Sequence, residues 1–335
     1  MRLSIHKIGN AEDAFSFYSK QEVSIEEPLT ELLRNYFLSS FKSEEHYRFY
    51  HDASLSLHEV YTYVSAIFDD PAKLHEQSVL LARHLYDQST HPRIKPGEFY
   101  VVYFEDGVYE GEQVEAIGLF KSENKDTFLD VHPQGEDIEV KTAQGININK
   151  LDKGCLVYNK HREEGYVLAV VDNTNKTEAQ YWKDDFLHIM VRNDNYRQTH
   201  QVLNMTKQFV TKQFVSDFDV SKTDQIDLLN RSVGYFKNHE TFDKKEFENE
   251  VLFHDEVINS FRKFDEGYRR DNDVELADSF DISGQAVKKQ ARVFKSVLKL
   301  DKNFHIYIHG NRELIEQGID ENGRKYYKIY YENES

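Results

Sequence analysis

Hydrophobic positions change period twice along this chain, and each change predicts a different layer of structure. After a short apolar run at Leu3–Ile8, apolar residues recur at helical spacing. Leu29, Leu32, Leu33, Tyr36 and Phe37 form one stripe, with Pro28 in the first turn. Val60, Tyr63, Val64, Ile67 and Phe68 form a second, opened by a capping box at Ser56 and Glu59. Leu74, Ser78, Leu81 and Leu85 form a third. From residue 98 the period falls to two. Short runs rich in Val, Ile, Phe and Tyr at 98–105, 114–121, 127–132, 138–142, 155–159 and 166–172 alternate with Gly-containing turns. That spacing predicts an antiparallel meander, as a curved sheet or a partly closed barrel. Beyond Ala179 the helical period returns at 196–214, 223–238, 243–251 (a capping box at Asp243 and Glu246) and 256–268, with a solvated linker at 266–273. The fold class is therefore α+β. An α+β domain with an antiparallel sheet is expected over residues 1–175, followed by a mainly helical domain over 176–335.

Residues 280–302 carry a local reversal of charge. Ser283 is placed to cap a helix whose apolar stripe is Val287, Ala291, Phe294 and Leu298. Its other faces carry Lys288, Lys289, Arg292, Lys295, Lys299 and Lys302, with Asp301 the one acid among them. Residues 275–293 have the spacing of a helix–turn–helix, with Ala277 at the inter-helix contact and Ile282 and Ser283 at the turn. A hairpin of 304–309 with 325–331 would complete a winged arrangement, its tip offering Arg312, Arg324 and Lys325. Lysines outnumber arginines, so phosphate contact with low sequence specificity is the expected mode.

Composition narrows the class. A chain of 335 residues with 30% charged residues and 5 prolines buries a core and reads as folded. Its formal net charge of −17 argues against wholesale coating of nucleic acid. It does not exclude a local basic face, because charges beyond about 10 Å are screened at ordinary salt. The single cysteine, Cys155, excludes an internal disulfide and suits a reducing compartment. The first residues carry no long apolar run and no stretch reaches membrane-spanning length, so a cytoplasmic protein is expected.

Other chemistry is sparse. Asp130 (or Asp126) with Glu139 and Lys141 on adjacent strands could hold Mg²⁺ and orient water, as in a metal-dependent nuclease, though Glu-x-Lys is common on solvent faces. His46, His51, His58, His75, His84 and His91 crowd the first third without metal-ligand spacing or a partner cysteine. A structural cluster is the better reading, with Arg48 and Asp52 paired. Asp184 and Asp185 read as first-turn helix charges, and Trp182 as a packing anchor. No phosphate loop, nucleophile elbow or dinucleotide fingerprint is present. No cofactor, metal or catalytic residue is assigned.

Several segments together carry a resemblance. Tyr47-Arg-Phe-Tyr-His-Asp52, Gly97-Glu-Phe-Tyr-Val-Val-Tyr-Phe104, Ala116-Ile-Gly-Leu-Phe-Lys-Ser-Glu-Asn-Lys-Asp-Thr-Phe128, Gly145-Ile-Asn-Ile-Asn-Lys150, Ala179-Gln-Tyr-Trp182 and the 286–331 region resemble the bacterial nucleoid-associated proteins of the NdpA/YejK type, over nearly the whole chain. The resemblance implies nucleoid localisation and association with DNA. It brings no active-site residues with it. The expected function is thus a non-enzymatic DNA-binding protein that contacts duplex phosphates and acts as a homodimer. The alternatives are an acidic adaptor for other nucleoid proteins and the Mg²⁺-dependent nuclease.

Overall fold

The computed structural model describes residues 1–10, 15–43, 45–135, 137–174, 180–291, 297–308 and 314–333. The chain divides into two compact units, Met1–Arg192 and Asn193–Ser335.

The first unit runs β1 (Arg2–Ile8), α1 (Glu27–Leu38), β2 (Tyr47–Phe49), α2 (Glu59–Asp69), α3 (Leu74–Gln88), β3 (Gly97–Tyr109), β4 (Glu112–Ser122), β5 (Asp126–Gln134), β6 (Asp137–Gly145), β7 (Lys153–Tyr158), β8 (Val167–Asp172) and β9 (Ile189–Val191). Seven strands pair antiparallel in the order β1-β3-β4-β7-β8-β2-β9, an open sheet rather than a barrel. Side chains alternate across it. Phe99, Val101 and Tyr103 share one buried cluster with Val60, Val64, Ile67, Leu81 and Leu85 of α2 and α3. Tyr100, Val102 and Phe104 share another with Tyr36 and Phe37 of α1. Helices thus cover both faces, which is why β3 and β4 read as nearly continuous apolar runs. At the centre Phe37 stacks on Phe120 at 4.4 Å. A Cβ on Gly118 would fall 2.2 Å from that Phe120 ring, so only glycine fits there.

β5 and β6 leave this sheet and form a two-stranded one of their own. The root of that hairpin is pinned by buried charge. Lys121 and Lys153 stand directly opposite each other on β4 and β7. The Lys121 ammonium donates to the Lys95 carbonyl (2.8 Å), Glu123 (2.9 Å) and the Tyr181 hydroxyl (2.9 Å). Lys153 donates to both oxygens of Asp172 at 2.9 Å and to Thr174. Asp152 accepts from the Glu123 and Asn124 backbone N–H groups at 2.7 and 2.9 Å. Burial pushes the Lys121 ammonium below its ordinary pKa and raises the Tyr181 phenol well above its own.

Local caps differ in detail from the sequence reading. α2 is capped by His58, whose Nδ1 accepts from the Tyr61 N–H at 3.1 Å, and not by a Ser56 capping box. Ser56 lies in a 3₁₀ turn, Leu55–Leu57, which Ser54 caps. Arg48 and Asp52 do not pair. Arg48 donates to the Glu164 carbonyl, and Asp52 accepts from Tyr50. Asp184 and Asp185 lie in a turn before β9 rather than in a helix.

The second unit runs α4 (Asn195–Gln208), a π turn (Phe209–Gln213), α5 (Phe214–Asp217), α6 (Lys222–Asn238), β10 (Thr241–Asp243), α7 (Lys244–Phe247), a second π turn (Glu248–Leu252), α8 (Asp255–Asn272), β11 (Ser279–Asp281), α9 (Gly284–Ala291) and four strands in two hairpins: β12 (Val297–Leu300) with β13 (Phe304–Tyr307), and β14 (Ile315–Ile319) with β15 (Lys325–Ile329). The chain is mixed α+β, as the periodicity predicts. The unit's core is aromatic, with Phe209, Tyr235, Phe236, Phe242, Phe247, Phe261 and Phe280 in one cluster. The stretch 266–272 is the last turns of α8 and no linker; Tyr268, 8% exposed, buries into that core.

One buried group ties stability to pH. His6 on β1 is 1% exposed; its Nε2 meets Ser78 Oγ at 2.9 Å, and its Nδ1 accepts from the Ser19 N–H. Burial, and then the neighbouring His75, lower its pKa from 6.5 to about 4. The unfolded chain therefore binds a proton that the fold refuses. The stabilisation is complete above pH 6.5 and is lost as pH falls towards 4, by up to about 3 kcal/mol. Urea midpoints at pH 7.5 and 4.5 should differ more for the native chain than for His6→Gln; equal differences would remove His6 from the linkage.

Candidate nucleic-acid interface

α9 is short and firmly seated. The Ser283 hydroxyl accepts from the Ala286 N–H, and the Ser283 N–H donates to Thr199 of α4 at 3.0 Å. Ala286, Val287 and Gln290 are buried beneath it. The opposite side exposes Lys288 and Lys289, and Lys289 Nζ reaches the Tyr196 hydroxyl at 3.1 Å.

The basic stretch is not one helix. Val297–Leu300 is a strand, and Asp301 turns the chain at φ 50°. Leu298 buries against Ile226 and Ile308, with Leu300 and Ile306 packed beside it. Alternation wins over the i, i+4 spacing of Phe294 and Leu298, because the partner strand β13 supplies Ile306 on the same face. Lys299 therefore projects from the other face of β12, beside His305, and Lys302 lies in the turn. Arg324 and Lys325 are exposed at the turn and start of the second hairpin. Arg292, Lys295 and Arg312 lie outside the described residues.

The helix–turn–helix is also absent. Asp273, in the left-handed region, ends α8, residues 274–278 are coil, and 279–281 pair with β10. Phe280 stacks on Phe242 at 4.9 Å, which fixes that segment as a strand. The wing expected from 304–309 with 325–331 is replaced by two separate hairpins, because each strand finds its partner nearer in the chain.

The structure thus gathers the basic residues into three exposed groups, on α9, on the first hairpin and on the second. Lys288, Lys299, Lys302 and Lys325 make no ion pair among the described residues. Acids share the second hairpin: Asp320 holds its turn by accepting from Asn322 and Arg324, and Glu316 lies 3.7 Å from Lys328. Cationic character is therefore greatest at α9 and the first hairpin. Sequence reading missed the exposed rings here. Phe304, Tyr307, Tyr326, Tyr330 and Tyr331 stand 39–70% exposed. The run of aromatic and basic residues at 325–331 was the available signal.

Elsewhere, Glu139 Oε2 lies 3.0 Å from His132 Nε2 and 2.8 Å from Lys141 Nζ on the β5–β6 hairpin, with Asp130 opposite Lys141. Asp126 accepts from Asn147 instead. The acids and Lys141 come together as a surface ion-pair ladder. His51, His58, His84 and His188 line a cleft of about 390 Å³ with Asp52, Glu59, Asp184 and Asp185. His58 and His84 each spend a ring nitrogen on a backbone carbonyl. His239, Glu246 and Glu250 bring ligand atoms within 4.8 Å of one another and could hold a divalent ion. A side-chain contact of His239 with Glu250, at 3.5 Å, accounts for the same geometry without one. No helix among the described residues is long and apolar enough to cross a membrane.

The fold and this surface define a two-unit α+β protein with exposed lysines and aromatic rings on its last elements. Compared with known families, the chain matches the nucleoid-associated protein YejK over residues 4–324, and it belongs to that family. No curated protein matches it.

Because Val287 is 3% exposed and anchors α9, Val287→Ala should cost about 2 kcal/mol in urea unfolding. Lys288→Ala, at an exposed position, should cost less than about 0.5 kcal/mol. Similar costs at both positions would show that α9 is not docked through this face.

Proposed function

We propose that this nucleoid-associated protein binds duplex DNA directly and without catalysis, through phosphates met by α9 and the first hairpin. Lys288, Lys289 and Lys299 carry the contact, with Arg292 and Lys295 between them in the chain. The observation behind this reading is the group of exposed lysines on α9 and β12, set on elements that a buried apolar face holds in place. Lysine is a point charge on a flexible stem, so contact follows the phosphate path and reads little sequence. A net charge of −17 slows approach but does not cancel a local field at ordinary salt.

Five cations neutralising five phosphates give a log affinity–log salt slope of about −4.5, a loss of a few hundred-fold between 50 and 200 mM salt. Binding of a labelled random duplex should follow that slope, with and without Mg²⁺, and leave the duplex intact. Reversing all five charges should abolish it. Salt-insensitive binding, or binding that survives the reversal, would move the surface elsewhere. No shift even at low salt would favour the acidic adaptor for other nucleoid proteins, and Mg²⁺-dependent cleavage abolished by Glu139→Ala would favour the nuclease.

We further propose that two copies act together, since two weak basic faces gain affinity by linkage. The β5–β6 hairpin supports this. Its cross-strand pairs place Leu129, Val131, Ile138 and Val140 on one face, each 57–66% exposed. A lone hairpin with an open apolar face gains stability when covered. Light scattering should give twice the 39.6 kDa chain mass, and Val131→Asp with Val140→Asp should halve it. A monomeric native chain, or a dimer that survives both substitutions, would refute this interface.

A further inference from the structure

We infer that the two C-terminal hairpins form stacking platforms for unpaired bases, so that the DNA surface proposed above, on which this inference rests, prefers single-stranded DNA. Register assigns the faces. In the first hairpin, Leu298 turns inward with Ile306, so the pairs Val297–Tyr307 and Lys299–His305 share the outer face. In the second, Tyr327 and Ile315 pack inward, so Tyr326, Lys328 and Tyr330 share the outer face with Glu316 and Gly318. Each hairpin therefore presents rings beside a lysine. Tyr307 is 65% exposed and Tyr326 47%. Lys328 Nζ lies 4.6 Å from the Tyr330 ring centroid. Gly318 lets the Tyr326 ring lie flat across the strand, since a Cβ there would meet the ring at 2.5 Å. The ring is thus held broadside to the sheet.

This chemistry suits a single strand and gains nothing from a duplex. Base faces in a duplex are covered by their neighbours, so an exposed tyrosine can stack only on a base that has left the helix. Residues two apart on a strand are about 7 Å apart. Stacked bases repeat at about 3.4 Å. His305 and Tyr307 therefore match bases that have been drawn apart. Charge points the same way. The outer face of the first hairpin carries Lys299 and no acid, and its turn carries Lys302 beside Asp301, so a phosphate backbone can run beside the rings along the strand face. The second hairpin is weaker in this respect, because Glu316 answers Lys328. The first hairpin is accordingly the principal platform.

Fluorescence anisotropy with a labelled mixed-sequence 20-mer, single-stranded and as a duplex, tests the inference on the full chain. The native protein should bind the single strand more tightly than the duplex. Tyr307→Ala with Tyr326→Ala should weaken single-strand binding about 10- to 100-fold and change duplex binding less than about threefold. Tyr307→Phe with Tyr326→Phe, which keeps the rings, should restore it and rules out a folding defect. Loss equal on both DNAs, no loss on the single strand, or failure of the phenylalanine pair to rescue would overturn the platform. Duplex binding that is lost on charge reversal of α9 while the tyrosine variants leave the single strand unaffected would leave the proposed function standing and remove this inference alone. Binding to neither DNA would remove both.

Discussion

Two lysines facing each other inside a sheet set the terms for the first unit. Like charges directly opposite on neighbouring strands repel, and taking each ammonium from water costs several kcal/mol. Lys121 and Lys153 are nevertheless 0% and 3% exposed. The site holds because every donor is used. Glu123, Asp152 and Asp172 supply the counter-charge, and Tyr181 bridges Lys121 to Glu123. A network of this kind tolerates one arrangement, since leaving any member unpaired restores its full desolvation cost. That arrangement determines where β4 ends and β7 begins. The β5–β6 hairpin leaves between them, so its direction is fixed by buried charge although its own faces are exposed.

The second unit reaches the same end with aromatic packing. Phe236, Phe242 and Phe280 stack in series, at 5.4 and 4.9 Å. That stack joins α6 to the two short strands β10 and β11. Buried acids tie the helices to one another: Asp265 accepts from Lys244 and Arg269, and Glu248 from Arg262 through two bonds. α9 follows directly from β11, so the stack that places Phe280 also places Ser283 and the lysines after it. The exposed side of α9 is free to carry charge because its buried side is fully committed.

Period was legible in the sequence and partnership was not. The strands β3, β4, β7 and β8 and the helices α1, α3, α4, α6 and α8 follow from apolar spacing, because each one buries a face that its own residues define; β5 and β6 show the same period with that face left open. The basic stretch misled because Val287, Ala291, Phe294 and Leu298 satisfy a helical period locally. The competing signal, Leu298 and Leu300 against Ile306, becomes decisive only when β13 folds back upon them. The same limit hid the Lys121 network, whose members span residues 95 to 181. Buried lysines look like surface lysines until the strands that cover them are known. Exposed rings were hidden for the converse reason: Tyr326 and Tyr327 are indistinguishable in composition, yet one faces out and the other packs against the cluster of Ile226, Leu298 and Ile308.

Net charge is a poor guide to this surface for a related reason. Acids that are engaged by cations and N–H groups inside the fold contribute to the formal total without projecting a field at the exposed lysines. Asp152, Glu248 and Asp265, at most 2% exposed, are engaged by buried N–H groups, lysines and arginines. At physiological salt a phosphate senses charge within about 8 Å. Within that radius of Lys288 or Lys299, the sign is set by which side chains the local register turns outward. On α9 and on the outer face of the first hairpin those include lysines, a histidine and a tyrosine, and no acid. An acidic chain can thus hold a site for a polyanion wherever an apolar face beneath forces its cations out.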